Sequence, residues 1–312
     1  MSVSPTLKTR LKAKAAELGF AYCGIAQARR LEEEAPRLEA FLNAGHHGTM
    51  DWLANRFEMR LDPRLLEPGT RSVVSLLYNY APAVRQPEAA GFKVSCYAYG
   101  QDYHTIIRQK LNALLAWLQA QTGQETLGRG FVDSAPLMDK AWARLAGLGW
   151  VGKHTNLIRP GAGSFYFIGT LLLHLDLEPD GPIADFCGTC TRCIDACPTE
   201  AIYAPYKLDA SRCISYLTIE LKGQMPAEFQ GKMEGWAFGC DICQDVCPWN
   251  RFSTPHADPA LAISEPMATF TQADWEALTE EQFKVLFRDS PLKRAKYAGL
   301  RRNLEAARAL PG

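Results

Sequence analysis

The stretch CGTCTRCIDACP (187–198) decides how the middle of this chain folds, and CDICQDVCP (240–248) repeats its ending. The first stretch spaces four cysteines as C-x₂-C-x₂-C-x₃-C-P, the arrangement of bacterial iron–sulfur proteins. The second stretch has the same ending but only three cysteines. Each four-iron cluster takes four thiolates, so two clusters need one further cysteine from elsewhere in the chain.

In two-cluster ferredoxins, the fourth cysteine of each run ligates the other cluster. This rule predicts one ligand set of Cys187, Cys190, Cys193 and Cys247. Cys197, Cys240 and Cys243 form the second set, and Cys213 in LDASRCISYL is the nearby candidate for its open position. The alternative is two Cys₄ zinc sites, which also use C-x₂-C spacing. The repeated x₂, x₃ and proline pattern favours two [4Fe–4S] clusters.

Composition and charge bound the remaining possibilities. The 312 residues are 47% hydrophobic and carry a formal net charge of zero, which indicates a folded protein with no bulk affinity for polyanions. The basic start of the chain lacks the apolar region of a signal peptide, and clustered cysteines favour metal ligation in the cytoplasm over disulfides. The apolar run FYFIGTLLLHL (165–175) is too short to cross a bilayer, so we expect a buried strand and no membrane partner.

Charge is unevenly distributed near the end of the sequence. Residues 284–308 contain eight basic residues against Asp289 and Glu305, a net charge of +6. Such a segment is typical either of a phosphate-binding surface or of a solvated helix face.

Hydrophobic periodicity predicts a mixed fold, α+β or α/β. We expect helices at 6–20, 31–44, 104–121 and 137–145, and strands at 71–82, 131–136 and 165–175. The proline-bearing segment 176–185 is a plausible linker. The predicted domains are an α/β domain at 1–178, a ferredoxin-like domain at 179–252 and a short helical, HEAT-like segment at 253–312, in which residues 290–310 are expected to form one helix–turn–helix unit.

Several blocks of the sequence resemble one family, epoxyqueuosine reductase. They are HHGTMDWLANRFEMRLDPRLLEPGTRSVVSLLYNYAP (46–82), YAYGQDYH (97–104), VDSAPLMDKAWARLAGLGWVGKHTNLI (132–158) and the split cysteine pattern, in this order. The resemblance extends to about residue 302. Many members of the family continue into a longer helical-repeat domain, whereas this sequence shows one such unit.

The resemblance implies a cobalamin-dependent reduction of epoxyqueuosine to queuosine at the wobble position (34) of tRNA. Two electrons pass through the clusters to a base-off cobalamin in the first domain, which is akin to that of reductive dehalogenases. Asp133 is then the proton donor, and we expect burial beside the apolar Phe131 and Val132 to raise its pKa so that it is protonated at neutral pH. The implied cofactor contacts are Arg56, Cys96, Tyr99, His104, Asp133, Lys153, His154 and Ser215. DYH (102–104) resembles part of a cobalt-ligating D-x-H-x-x-G pattern, but Ile107 replaces its glycine, which disfavours His104 as an axial ligand.

The same resemblance implies specific partners. These are a tRNA anticodon stem-loop and an external low-potential electron donor such as a flavodoxin or ferredoxin, for a monomeric enzyme. Within the basic segment, the candidate phosphate contacts are Lys293, Arg294, Arg301 and Arg302.

Two other functions and one other role for Asp133 stay open at this stage. A dehalogenase-like reductase of a small molecule has no need of the basic segment, and such enzymes typically carry a twin-arginine signal that this sequence lacks. A non-enzymatic electron-transfer subunit would bind no corrin. Asp133 stands before Ser-Ala-Pro, where an aspartate also serves as the cap of a following helix.

Overall fold

Residues 5–308 are described by a computed structural model, so residues 1–4 and 309–312 of the expected first and third domains lie outside the described residues. The described residues form eight strands: β1 Tyr22–Gln27, β2 Ser72–Asn79, β3 Lys93–Val94, β4 Gly128–Val132, β5 Trp150–Val151, β6 Leu157–Ile158, β7 Tyr166–Leu173 and β8 Trp236–Phe238. They also form thirteen α-helices: α1 Leu7–Glu17, α2 Ala35–Asn43, α3 Phe57–Leu61, α4 Pro63–Leu66, α5 Tyr103–Thr122, α6 Asp139–Leu145, α7 Arg192–Asp195, α8 Ile214–Ile219, α9 Ile242–Asp245, α10 Glu265–Thr269, α11 Gln272–Ala277, α12 Glu280–Leu286 and α13 Lys296–Arg308.

The main sheet has four strands in the order β1-β2-β7-β4. Every neighbouring pair is antiparallel, with Val74 of β2 opposite Leu171 of β7 and Val132 of β4 opposite Gly169 of β7. The two central strands, β2 and β7, are apolar along most of their length because helices cover the sheet. The mixed class expected from sequence is confirmed. Its antiparallel sheet corresponds to the α+β form, because alternating elements need not make parallel neighbours.

Helix α5 begins and ends at the residues that local chemistry selects. The Asp102 side chain caps its start by accepting a hydrogen bond from the His104 backbone N–H at 3.1 Å. Its apolar stripe, spaced for one helical face, packs on β4 and β7. Gly123 ends the helix at φ +69°, a left-handed conformation that costs glycine nothing. Tyr103 and His104 therefore occupy a fixed first turn.

The cysteine-rich segment packs against the first part of the chain. Helices α7 and α9, which carry the two cysteine runs, pack on each other, and β8 pairs in parallel with β3. One hydrophobic cluster includes Phe92, Leu217, Phe238, Trp275 and Leu304. Residues of all three predicted domains thus share one hydrophobic core, which holds the cysteine-rich segment in a fixed position relative to the main sheet.

The C-terminal part is helical, as the sequence predicts. Residues 291–295 form a 3-10 helix, and Lys296 at φ +58° starts α13. The expected helix–turn–helix unit is therefore a single turn of 3-10 helix followed by one α-helix. None of the described helices is long and apolar enough to cross a membrane.

Candidate active site

The sequence predicts a first cysteine group of Cys187, Cys190, Cys193 and Cys247 and a second cysteine group of Cys197, Cys213, Cys240 and Cys243. Burial raises the pKa of Cys193 to about 11, and the thiols of Cys247, Cys187 and Cys190 raise it further. Burial also raises the pKa of Cys240, with Cys213 and Cys243 acting in the same direction. These influences run within the two expected sets, whereas Cys193 also acts on Cys243 across them, so the division into two ligand sets stays a prediction. Within residues 5–308, no three His, Cys, Asp or Glu side chains converge on a single-ion position.

Residues around the first cysteine group hold its loop in place. The Trp150 indole Nε1 donates to the Cys187 Sγ at 3.4 Å. The Lys153 ammonium donates to the backbone carbonyls of Gly188 at 2.7 Å and Cys190 at 2.9 Å. Lys153 is expected from sequence to contact cobalamin, but its ammonium is occupied by the cysteine loop. Its positive charge lies where a cluster of thiolates would otherwise be uncompensated.

The second cysteine group is adjacent to the start of α8. Burial raises the pKa of Cys213, while hydrogen bonds from the Ser215 and Tyr216 backbone and from the Ser215 side chain act against this shift. Ser215 therefore supports a cysteine of the second group. A thiolate at Cys213 would accept these hydrogen bonds, which stabilise the charged form that binds iron.

Asp133 lies at the mouth of a cavity of about 400 Å³ that Tyr103, Asp139 and Lys140 also line. It follows β4 at φ +53°, a left-handed conformation in which aspartate and asparagine are tolerated better than most residues. Its side chain is 67% exposed, accepts a hydrogen bond from the Tyr103 hydroxyl at 2.7 Å, and lies 3.5 Å from the His104 Nε2. Asp133 does not cap α6, because Met138 occupies the cap position without a side-chain hydrogen bond.

His104 lies between two carboxylates. Its Nδ1 is 2.7 Å from Asp102 Oδ1, and the other Asp102 oxygen is 2.8 Å from the Lys293 ammonium. Burial lowers the pKa of His104, but hydrogen bonds with Asp102 and Asp133 outweigh it and raise the pKa to about 9. The imidazole is therefore protonated at neutral pH.

The pKa of Asp133 is shifted in the direction opposite to the sequence-based prediction. The hydrogen bond with His104 lowers it, and this outweighs the burial that raises it; Tyr103 lowers it further. Burial is thus the weaker of the two main influences on this pKa. Asp133 is therefore a carboxylate, and the proton that the pair can donate is held by His104.

Asp139 and Lys140 are site residues that the sequence reasoning missed. Asp139 opens α6 and accepts a hydrogen bond from the Thr170 hydroxyl of β7 at 2.9 Å. The Lys140 ammonium donates to the Thr155 carbonyl at 3.0 Å and to Asn156 Oδ1 at 2.9 Å. The signal was present in DSAPLMDK, since Asp139 stands six residues after Asp133. Sequence reasoning could not tell that both face one cavity.

Lys140 connects the cavity with the second cysteine group. Burial lowers its pKa, while Cys243, Asp133 and Cys213, in this order, act to raise it. A single ammonium thus lies within electrostatic reach of both the acid cavity and two cysteines of the second group. A redox cofactor seated beside Asp133 would be close to that group.

Two predicted cofactor contacts are buried elsewhere. Cys96 is 3% exposed, and its backbone N–H donates to the buried Asp241 at 2.8 Å. The Tyr99 hydroxyl accepts from the Gln86 backbone N–H at 3.2 Å in the same core cluster. Neither residue lines the cavity of Asp133. The polar stretch before α5 turns inward, so Cys96 and Tyr99 pack in the core, and their contacts with cobalamin stay predictions.

Arg56 and His154 are placed differently. Arg56 is exposed at the start of α3 with φ +59° and does not line the cavity. His154 is buried, and its Nδ1 accepts from the Asn156 backbone N–H at 3.1 Å. Burial and the nearby Lys140 lower the pKa of His154 to about 4, so the ring is neutral. Its Nε2 has no hydrogen-bond partner among the described residues.

The basic segment contacts the protein itself through several of its side chains. Arg302 donates to the carbonyls of Leu221 at 2.8 Å, Gly223 at 2.8 Å and Leu217 at 2.9 Å. Arg301 donates to the Glu276 carbonyl at 2.6 Å, and Arg294 forms a bidentate pair with Glu220. The structure argues against Arg302 as a phosphate contact, because its guanidinium caps carbonyls near the end of α8.

We expect Arg302→Ala to destabilise the protein by about 1–3 kcal/mol, because the partly buried carbonyls of Leu221 and Leu217 and the exposed carbonyl of Gly223 lose their donor. Denaturant unfolding under anaerobic conditions measures this as a lower midpoint. Lys284→Ala is the matched control, since its pair with Glu280 is exposed and should contribute little to stability. Equal unfolding midpoints for the two variants would show that the contacts of Arg302 with these carbonyls do not stabilise the fold.

Comparisons with known proteins agree with this architecture. Residues 60–134 match the family described as "Epoxyqueuosine reductase QueG, DUF1730", and residues 186–250 match the "4Fe-4S double cluster binding domain". An epoxyqueuosine reductase of Cellulophaga algicola is 54% identical over 295 residues, 95% of this chain and 96% of the relative. One of Leadbetterella byssophila is 58% identical over 94% of this chain and 96% of the relative. The chain belongs to the epoxyqueuosine reductase family.

Solved structures of epoxyqueuosine reductases align over nearly the whole chain. One is bound to an epoxyqueuosine-modified tRNA-Tyr stem loop; it has a TM-score of 0.86 and 30% identity, and the alignment covers 96% of this chain and 80% of that one. Another, from Bacillus subtilis, has the loop of its catalytic aspartate swung out of the active site; it has a TM-score of 0.87, 31% identity and the same coverage. Membership of the epoxyqueuosine reductase family makes this chain an oxidoreductase with a double [4Fe–4S] cluster domain.

Proposed function

We propose that this chain reduces epoxyqueuosine in tRNA to queuosine, with Asp133 and His104 as its principal proton-delivery pair. The observation that carries the proposal is the cavity in which Asp133 and its neighbours lie next to the second cysteine group. A reductase needs both an electron source and acids at one place. The relatives' common name and the stem-loop complex of one structural neighbour support the substrate.

The clusters are assigned to the two cysteine groups. Cys187, Cys190, Cys193 and Cys247 hold the first cluster; Cys197, Cys213, Cys240 and Cys243 hold the second. An external low-potential donor, such as a flavodoxin or ferredoxin, supplies electrons to the monomer. Because Lys140 lies beside the second group, the second cluster is the one that delivers electrons to the cavity.

The residues around the cavity fit cobalamin. The buried Nε2 of His154 lacks a partner among residues 5–308, and the ring is neutral, so it suits a hydrogen bond to an amide of the corrin periphery. Lys140, which lines the cavity of Asp133, and His154, which lies near Lys140 in a smaller cavity beside the first cysteine group, would hold the group. When bound, cobalamin supplies low-potential electrons to a substrate carbon. Both ring N–H groups of protonated His104 face carboxylates, Nδ1 at 2.7 Å from Asp102 and Nε2 at 3.5 Å from Asp133, which makes His104 a proton carrier rather than a cobalt ligand.

Protonation of the epoxide oxygen uses the Asp102–His104–Asp133 chain. His104 holds the proton because carboxylates flank both ring nitrogens. As negative charge develops on the departing oxygen, Asp133 at the cavity mouth passes the proton from His104 to it. Lys293 fixes Asp102 and hence the orientation of the imidazole. An oriented acid of this kind contributes about 10²–10⁴-fold to a rate.

The tRNA backbone is proposed to bind in a groove of about 1420 Å³ between the loop after α8 and α13. Its exposed cations include Lys222 and Lys296, whose ammonium groups are on the surface of the groove. Arg294 and Lys293 line its wall while paired with Glu220 and Asp102. The groove wall thus includes Lys293, which holds Asp102 and through it His104. RNA bound in the groove would therefore lie next to these acids.

We expect Lys222→Ala combined with Lys296→Ala to weaken binding of a tRNA anticodon stem-loop and to reduce its salt dependence. Each lost phosphate contact lowers the slope of log K against log salt concentration by about 0.7–0.9. Lys14→Ala combined with Lys207→Ala is the control, because neither residue lines the groove. An unchanged affinity and slope in the first pair would show that the groove does not bind RNA.

The test of the proposed function is direct. Anaerobically purified protein is analysed for iron, sulfide and cobalt, then supplied with a chemical reductant and a stem-loop carrying epoxyqueuosine. We expect all three elements and conversion of the nucleoside to queuosine, measured by mass spectrometry. Iron and sulfide without corrin binding or turnover would identify an electron-transfer subunit instead.

A further inference from the structure

The reduction needs two protons, and the His104–Asp133 pair holds one to give. Conversion of an epoxide into an alkene and water consumes two electrons and two protons. The first carbon–oxygen bond breaks and the oxygen takes one proton to become a hydroxyl. The second bond breaks and the hydroxyl leaves with the other proton as water. A hydroxyl leaves poorly without that second proton, so the site needs a second acid.

A second carboxyl group lies in the same cavity. Asp139 lines it together with Asp133, but the two arrive from different elements. Asp133 follows β4, whereas Asp139 opens α6 and is anchored by the Thr170 hydroxyl of β7 at 2.9 Å. Thr170 is itself fully buried, so it holds Asp139 in one orientation. The two carboxyls therefore face one volume in fixed positions.

We propose that Asp139 is the second proton donor of the reaction, so that two independently held acids supply the two protons that leave in water. This inference rests on the proposed function.

The environments of the two carboxyl groups differ, as expected if Asp133 and Asp139 supply different protons of the reaction. Asp133 is held ionised because His104 and Tyr103 stabilise its charge. Burial, opposed by the hydrogen bond from Thr170 and assisted by the charge of Asp133, raises the pKa of Asp139 to about 7. Two carboxyl groups with pKa values pushed apart are the usual sign of different proton-transfer roles.

The charged groups around Asp139 come from several elements. Lys140 of α6 acts to lower the pKa of Asp139, and Asp133 acts to raise it. Burial lowers the pKa of the Arg60 guanidinium of α3, and Asp139 acts against this shift, so Arg60 also lies near Asp139. Despite these two cations, Asp139 keeps a pKa near neutrality, because burial is the largest influence. It is therefore half protonated near pH 7 and available as an acid.

The test combines turnover with a direct measurement of protonation. Asp139→Asn keeps the acceptor for Thr170 but has no proton to give, so we expect single-turnover reduction to fall about 10²–10⁴-fold. Asp176→Asn is the matched control, because Asp176 is exposed and paired with Arg71 outside the cavity. Visible spectra of both variants check that clusters and corrin are retained.

The second measurement needs no turnover. Infrared difference spectra of the holoenzyme between pH 5 and 9 report the carbonyl stretch of protonated carboxyl groups. We expect a band that titrates near pH 7 and is missing only in Asp139→Asn. Thr170→Val removes the hydrogen bond that favours the carboxylate, so this band and the alkaline limb of the rate profile should both move to higher pH.

Three results would overturn the inference. Asp139→Asn reducing the epoxide at the wild-type rate would make Asp139 a structural residue of α6. A band near pH 7 that survives in Asp139→Asn would assign it to another group. If Thr170→Val shifted the band but not the pH–rate profile, the carboxyl group that titrates would not be the group that donates the proton in the reaction. Failure of wild-type turnover would instead refute the proposed function, and the inference with it.

Discussion

We expect Asp133→Asn to lower the rate of epoxyqueuosine reduction about 10²–10⁴-fold, the usual contribution of a positioned acid. The substitution keeps the size of the side chain and an acceptor for the Tyr103 hydroxyl, which now donates at 2.7 Å. Asparagine also tolerates the left-handed backbone at φ +53°, so the turn after β4 should survive. What is lost is the carboxylate that receives the proton of His104 and passes it on.

A charge-specific readout distinguishes this role from a structural one. Removal of the Asp133 charge takes away one of the two carboxylates that hold the His104 pKa at about 9, so this pKa should fall. An imidazolium is stabilised below its folded pKa, so this contribution to stability should be lost at a lower pH in the variant than in the wild type. Stability measured between pH 6 and 10 checks the shift.

The control for Asp133→Asn is Asp176→Asn, which removes an exposed carboxylate outside the cavity and should leave turnover unchanged. Near wild-type reduction by Asp133→Asn would mean that His104 or Asp139 delivers the first proton alone. The retained clusters and corrin would be visible in the absorption spectrum of the same sample.

Cys213→Ala should remove one of the two clusters and abolish turnover. The thiol is the proposed fourth ligand of the second cluster, and Cys197 of the same predicted group acts to raise its pKa. A four-iron cluster with three protein ligands loses iron readily, whereas the first group does not use this thiol. Iron and sulfide per protein chain should fall by about half, with the remaining cluster visible by electron paramagnetic resonance after reduction.

Cys23→Ala is the matched control for this experiment. Cys23 lies in β1, and burial raises its thiol pKa to about 12, as expected of a core residue outside both groups. Iron content should be unchanged in that variant. Full iron in Cys213→Ala would show that the fourth ligand of the second cluster is another residue.

Much of the architecture could be predicted from sequence because its signals are local. The buried strands β2 and β7 are continuous apolar runs, and α5 has a cap, a stripe and a terminating glycine. Strand order and direction could not be predicted. They depend on which apolar faces meet, which is why an antiparallel sheet arose from a chain whose elements alternate.

The sequence by itself determined the iron–sulfur type of the cysteine pattern, the mixed class of fold and the place of Asp133 after a strand, because each depends only on local spacing and residue type. Only the tertiary structure decided which polar groups share a site. It buried Cys96 and Tyr99 in a core, tied Arg302 to backbone carbonyls and brought Asp139 to the cavity of Asp133. It also reversed the expected pKa shift of Asp133, because that shift depends on a histidine that approaches only when α5 packs beside β4.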